Sequence, residues 1–163
     1  REVGERWHRG ELAISQERLV STIVRRNVGL MLDTYDRSAR RAAVVFATLP
    51  GERHELGLLM SAMVCASRGF KVHYLGTDLP PVEIARFARE SGAVGVALSV
   101  VLQDRLADLP AQLRELASGL PESAQVWLGG SSARVLARDQ LPPNCVVLQD
   151  GAELEQRLEM LAA

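Results

Sequence analysis

Three short segments of this 163-residue sequence carry residue types that can do chemistry together. The first is Glu52-Arg53-His54-Glu55-Leu56-Gly57, an imidazole set among carboxylates with a glycine three residues on. The second is Ser99-Val100-Val101 and the third is Gly129-Gly130. Imidazole is a good ligand for transition metals such as cobalt. A ligating histidine usually donates its other ring N–H to a carboxylate, which fixes the tautomer and raises the basicity of the ligand. Glu52, two residues before His54, is the candidate for that partner. Gly57 leaves no side chain in the path of a bulky group entering beside the following helix, and Ser61, Ala62 and Ala66 keep that helix slim. Gly129-Gly130 lets backbone approach a planar ligand closely. Each feature has a plainer use when taken alone. A lone histidine near a helix start is usually a surface or capping group, a serine ending a strand a helix cap, and a Gly-Gly a turn. Their weight comes from the elements that bring them to one place.

Those elements read as follows. From Ser15, the apolar positions Leu19, Ile23, Val24, Val28, Met31 and Leu32 recur at helical spacing. A shorter helical candidate covers residues 1–12, and Asp36-Arg37-Ser38-Ala39-Arg40 reads as a linker. Residues 1–36 therefore form a helical cap segment, too small to enclose a core alone, and residues 37–163 form a separate domain. Downstream, strand and helix signals alternate. Strands are expected at 42–49, 71–75, 95–100, 125–128 and 145–148, with helices at 54–68, 81–90, 102–117, 132–138 and 152–161. Five such units predict an α/β fold with a doubly wound, five-stranded, mainly parallel Rossmann-like sheet, preceded by helices of a partial bundle. In such a sheet ligands bind beyond the carboxyl ends of the strands, near the switch in strand order. His54 follows the first strand, Gly76-Thr77-Asp78 the second, Ser99 ends the third and Gly129-Gly130 the fourth, so all of them line one rim.

Composition narrows the classes. A net charge of -1 and a pI near 6.4 argue against this chain gripping a phosphate backbone by itself. No stretch reads as a membrane span or a leader, and a cytoplasmic location is expected. Cys65 and Cys145 each sit in an apolar run and read as buried thiols in a reducing compartment. There is no Cys-x-x-Cys pair, Gly-x-Gly-x-x-Gly, Walker A motif or Ser-His-Asp order. His73 reads as a structural residue of the second strand, and the charges of 102–117 as a solvated face. A chain starting at Arg1 rather than Met reads as part of a longer protein.

From Arg41 onward, about three quarters of the chain, the sequence resembles the cobalamin-binding domain family. That family's motif is Asp-x-His-x-x-Gly, then Ser-x-Leu or a close variant, then Gly-Gly. Glu52 stands here where Asp is usual, with a longer reach, and Val101 where Leu is common. The resemblance implies base-off cobalamin, with His54 as the metal ligand replacing the nucleotide base on cobalt and the nucleotide tail in a slot beside Ser99 and Gly129-Gly130. It implies cofactor contacts from Glu52, Arg53, His54, Glu55, Gly57, Ser99, Val101, Gly129 and Gly130. Residues 1–35 look like the last two helices of the family's cap bundle. Trp7-His8 and Glu17 resemble the light-sensing MerR-type repressors that use adenosylcobalamin, as do the 51–55 and 74–80 segments. There Trp7 would pack over the adenosyl group, Glu17 would contact it, and His8 would capture cobalt after photolysis. Arg18 stands where that subfamily has a second histidine, so a different upper ligand or a second chromophore also fits.

The resemblance thus implies a sensor module rather than an enzyme. The expected cofactor is adenosylcobalamin, with methylcobalamin and hydroxocobalamin as alternatives. The expected partners are further copies of the chain, as a dimer or tetramer, with DNA reached only through an upstream domain and no membrane. The rivals are a corrinoid carrier that shuttles methyl groups between methyltransferase partners, and a flavodoxin-like interaction domain without cofactor.

Overall fold

The run Arg41–Ala47 has no polar side chain after its first residue, and Ala43 to Ala47 are all buried. A strand covered on both faces belongs inside a parallel sheet. The computed structural model, which describes residues 14–36, 38–39 and 41–162, places it there as β1. With β2 (Phe70–Gly76), β3 (Gly95–Ser99), β4 (Gln125–Gly129) and β5 (Cys145–Val147) it forms a five-stranded, all-parallel sheet in the order β2-β1-β3-β4-β5. The expected doubly wound α/β architecture is the observed one. Strand order reverses between β1 and β3, so the crevice that such a sheet offers a ligand opens where β1 and β3 end.

The period-two alternation of a strand divides the core between the two faces of the sheet. Val45 and Ala47 join Leu98, Val126 and Leu128 on one face, covered by α3 (Pro81–Glu90) and α4 (Leu109–Ser118) through Ile84, Leu113 and Leu116. Val44 and Phe46 join Ala97 and Trp127 on the other, covered by α2 (Leu56–Ser67) and α5 (Gly151–Ala162) through Leu58, Ala62, Cys65, Leu154 and Leu158. Trp127 is the largest buried side chain. Its ring lies so close over Gly95 that a Cβ there would meet the ring at 2.8 Å, and its indole N–H donates to Gln125 Oε1 at 3.0 Å. Helix α1 (Ile14–Asp36) packs outside these layers, on α2 and β2, with Val28 buried. The Ser38 N–H and hydroxyl both donate to the Tyr35 carbonyl and close its last turn. No helix among the described residues is long and apolar enough to cross a membrane.

Three expected helices differ. Helix α2 starts at Leu56, leaving His54 in the preceding loop, where its N–H donates to the Glu52 side chain. The expected helix 102–117 is a 3₁₀ turn, Gln103–Arg105, followed by α4 from Leu109. Pro110 explains the break, since proline lacks the N–H that a helix interior needs and fits the first turn instead. The expected helix 132–138 is two 3₁₀ turns, Ala133–Val135 and Arg138–Gln140. Buried Ser132 ties its start back to β3, its N–H donating to the Val100 carbonyl and its hydroxyl to the Val101 carbonyl, and too few residues follow for an α-helix to propagate. The short helical candidate at 1–12 lies outside the described residues.

The turn after β4 depends on Gly130. Its φ is +105°, and a Cβ there would lie 2.3 Å from the Val100 carbonyl oxygen. Gly130→Ala is expected to lower unfolding stability by at least about 2 kcal/mol in urea titration, combining a left-handed backbone with a backbone clash.

Candidate functional site

The site begins with a buried carboxylate. Glu52 is only 5% exposed, and both its oxygens accept two hydrogen bonds. Oε2 takes the N–H groups of Val101 and Leu102, at 2.8 and 2.9 Å, just past the end of β3. Oε1 takes the His54 N–H at 2.9 Å and faces His54 Nδ1 at 2.7 Å. Burial pushes the Glu52 carboxyl up, but the N–H groups of His54, Leu102 and Val101, together with the imidazole, outweigh it and hold the group below its ordinary value. An ionised carboxylate only accepts, so Nδ1 must be the donor of that pair. The proton therefore sits on Nδ1, and the lone pair of Nε2 is left for a ligand. The His54 ring, 53% exposed, is held by one edge and open at the other.

The loop that carries His54 is braced from a second side. Asp78, within the β2–α3 loop, accepts the Gly51 N–H at 2.7 Å and lies 3.5 Å from the Arg53 guanidinium. Its φ of +64° makes it the one described non-glycine residue in the left-handed region. Fully buried Thr48, at the end of β1, links the two loops. Its hydroxyl donates to the Glu52 carbonyl and accepts the Asp78 N–H at 2.9 Å.

His54 opens on a cleft of about 740 Å³, a size suited to an organic ligand of some bulk. The cleft collects most of the residues singled out in the sequence: Arg53, His54, Glu55, Gly57, Ser99, Val101, Gly129 and Gly130. Glu52 stands behind it, holding the imidazole. Trp7 and His8 lie outside the described residues, and of Glu17 only the backbone, within α1, is described. Along β3 and β4 the alternation places Ala97 with Ser99, and Trp127 with Gly129, on the face covered by α2 and α5. The small residues keep a slot open between sheet and helices, and Trp127 lies at its base.

The glycines separate by cause. Gly130 is demanded by the backbone, as described above. A Cβ on Gly57 would meet nothing within 4 Å, and one on Gly129 would meet only the Leu98 carbonyl oxygen, at 3.9 Å. The fold itself does not ask for glycine at 57 or 129, so these two serve the space of the cleft. Among the described residues, no group of three or more His, Cys, Asp or Glu could hold a bare metal ion. A lone imidazole suits a metal whose other positions are filled by its own organic ligand. His54 and the cleft beside it therefore fit a metal already held by a bulky organic ligand.

Several lining residues were not visible in the sequence pattern. Ser21, Thr22 and Arg25 come from α1, which is read in the sequence only through its apolar positions. Leu148, Gln149, Asp150 and Gly151 follow β5, and reading the end of the fifth strand as the first four were read would have found them. Arg134 donates to the Gln149 carbonyl and ties the loops after β4 and β5 together.

An open parallel sheet with a carboxylate-backed imidazole at its switch point and a glycine-lined slot beside it marks a ligand-binding α/β domain. Residues 42–159 match the family model described as the B12 binding domain, and the chain belongs to that family. It is 35% identical over 133 residues to the HTH-type transcriptional repressor CarH of Myxococcus xanthus, covering 82% of this chain and 44% of that protein. The chain thus spans less than half the length of that relative. It is 26% identical over 167 residues to dimethylamine corrinoid protein 3 of Methanosarcina mazei, covering 99% of each. Among solved structures, a cobalamin-binding protein from Desulfitobacterium hafniense superposes with a TM-score of 0.58 at 26% identity, over 96% of this chain and 76% of that one. The Methanosarcina barkeri monomethylamine corrinoid protein superposes with a TM-score of 0.68 at 14% identity over the same shares, a likeness of fold.

The argument about Gly57 makes a prediction of opposite signs. Gly57→Ala is expected to leave the free protein as stable or to stabilise it by up to about 0.5–1 kcal/mol, because alanine favours the helix and meets no obstacle. The same change should weaken cobalamin binding about tenfold by filling ligand space. Urea unfolding and a cobalamin titration read the two effects separately.

Proposed function

We propose that this chain is the cobalamin sensor module of a transcription regulator, holding the cofactor base-off with His54 on cobalt and adenosylcobalamin as its working form. The observation that carries the binding mode is the Glu52–His54 pair, which leaves Nε2 as the free donor at the mouth of the slot. When bound, cobalamin supplies a cobalt–carbon bond that light can break. The chain's own part is to orient one ligand, to exclude bulk from the slot through Ala97, Ser99 and Gly129, and to bring α1 against the same cleft through Ser21, Thr22 and Arg25. A helix that forms part of the cofactor's wall can report the cofactor's state, provided the two states differ in how they contact it. Leu19, Ile23 and Leu30 are exposed on one face of α1, an apolar surface that self-association would bury. The similarity to CarH supports the sensor reading. DNA binding would belong to a part of the protein outside this chain.

A second reading, a corrinoid carrier working with a methyltransferase, draws on the end-to-end match to the dimethylamine corrinoid protein. Size-exclusion chromatography of protein loaded with adenosylcobalamin, run in the dark and after green illumination, separates the two. The sensor reading expects a change in elution between the runs. Identical profiles, with methyl transfer from the methylcobalamin-loaded protein to a thiol acceptor through a methyltransferase partner, would favour the carrier.

A further inference from the structure

The residue after His54 also has both carboxylate oxygens engaged, but toward a different part of the molecule. Glu55 Oε2 accepts the Tyr74 hydroxyl of β2 at 2.5 Å, and Oε1 pairs with the Arg25 guanidinium of α1. The Glu55 side chain is 12% exposed, Arg25 54%. Burial, with the Glu55 carboxylate beside it, pushes the Tyr74 hydroxyl up, so it stays a donor. The Glu55 carbonyl also accepts the Leu59 N–H at 2.8 Å, which fixes Glu55 at the start of α2. His54 thus stands between two anchored carboxylates. Glu52 ties it to the end of β3, and Glu55 ties the same loop to α1. Arg25 also lines the cleft, so α1 faces whatever enters it.

We propose that Glu55 is a positioning residue that couples helix α1 to the His54 loop, so that a corrinoid ligated at His54 also seats α1 over the cleft. The proposal rests on the cobalamin reading above. Its physical basis is the uneven burial of the pair. Glu55, shielded and held by Tyr74, is a fixed point on the ligand loop, whereas Arg25 is half in water and its pairing is weak enough to be made or lost. A ligand filling the cleft adds contacts to Ser21, Thr22 and Arg25 that exist only when α1 is seated, and the Arg25–Glu55 pair transmits that preference to the peptide next to His54. Cofactor occupancy and α1 position then favour each other, as linkage requires of any coupled pair of states.

Hydrogen exchange of the α1 peptides, read by mass spectrometry with and without saturating hydroxocobalamin, tests this on the whole chain. In the unsubstituted protein, loading should slow α1 exchange about fivefold, the upper end of what one half-exposed ion pair supplies. In Glu55→Gln and in Arg25→Met, affinity should fall, and at saturation the absorption change of cobalt ligation should persist while the slowing of α1 is clearly reduced. The double variant should be no worse than either single one, because both remove the same link. Arg25→Met, at a half-exposed position, carries the test alone if Glu55→Gln does not fold. The proposal is overturned if loading slows α1 as strongly in the variants as in the unsubstituted protein, or if the two losses add. Failure of the unsubstituted protein to bind hydroxocobalamin would instead overturn the cobalamin reading and this inference with it.

Discussion

A single carboxylate organises this site. Glu52 has left water almost entirely, a costly move for a charge, and the cost is offset because four donors meet its two oxygens. Two of those donors belong to the chain leaving β3 and two to His54, so one side chain ties the loop after β1 to the loop after β3 across the switch point of the sheet. This also settles the imidazole. With Nδ1 committed, only Nε2 can act on a ligand, and the direction in which it acts is set by the sheet rather than by a free rotor. The extra methylene of Glu relative to Asp does not prevent the contact; the side chain spans from residue 52 to both loops at normal hydrogen-bond distances.

The rest of the site is made largely by leaving things out. Ala97, Ser99 and Gly129 line the slot where larger side chains would close it, and Trp127 fills the space below, over Gly95. Two adjacent glycines, 129 and 130, turn out to have different causes. One leaves the cleft open, and the other is required by a turn whose backbone passes against Val100. The first is a cost that the free fold does not need, and such costs are found at functional sites.

Much of this was readable in the sequence. Alternating apolar strands and periodic helices carry the sheet, and the rule that ligands sit beyond the strand ends brought His54, Ser99 and Gly129 together before any coordinates. What escaped has identifiable reasons. His54 lies inside an expected helix because apolar spacing does not fix the residue at which a helix begins. The break at Pro110 was lost because the apolar spacing continued across it. Ser21, Thr22 and Arg25 carry no signal of their own, because polar residues on a helix look the same whether they meet water or a cleft. Thr48 and Asp78, which brace the His54 loop from below, are contacts between loops far apart in sequence, and no local pattern announces them.

The central claim is that a protein imidazole, and not the cofactor's own nucleotide base, is the lower ligand of the metal. Electron paramagnetic resonance of the protein loaded with unlabelled cob(II)alamin tests it directly, because the axial nitrogen splits the cobalt lines. Protein grown with ¹⁵N-histidine should turn the triplet of a ¹⁴N ligand into a doublet, and substitution of His54 by Gln should abolish that doublet. A triplet that persists in the labelled protein would mean that the nucleotide base still holds the cobalt, and the role given to His54 would be wrong.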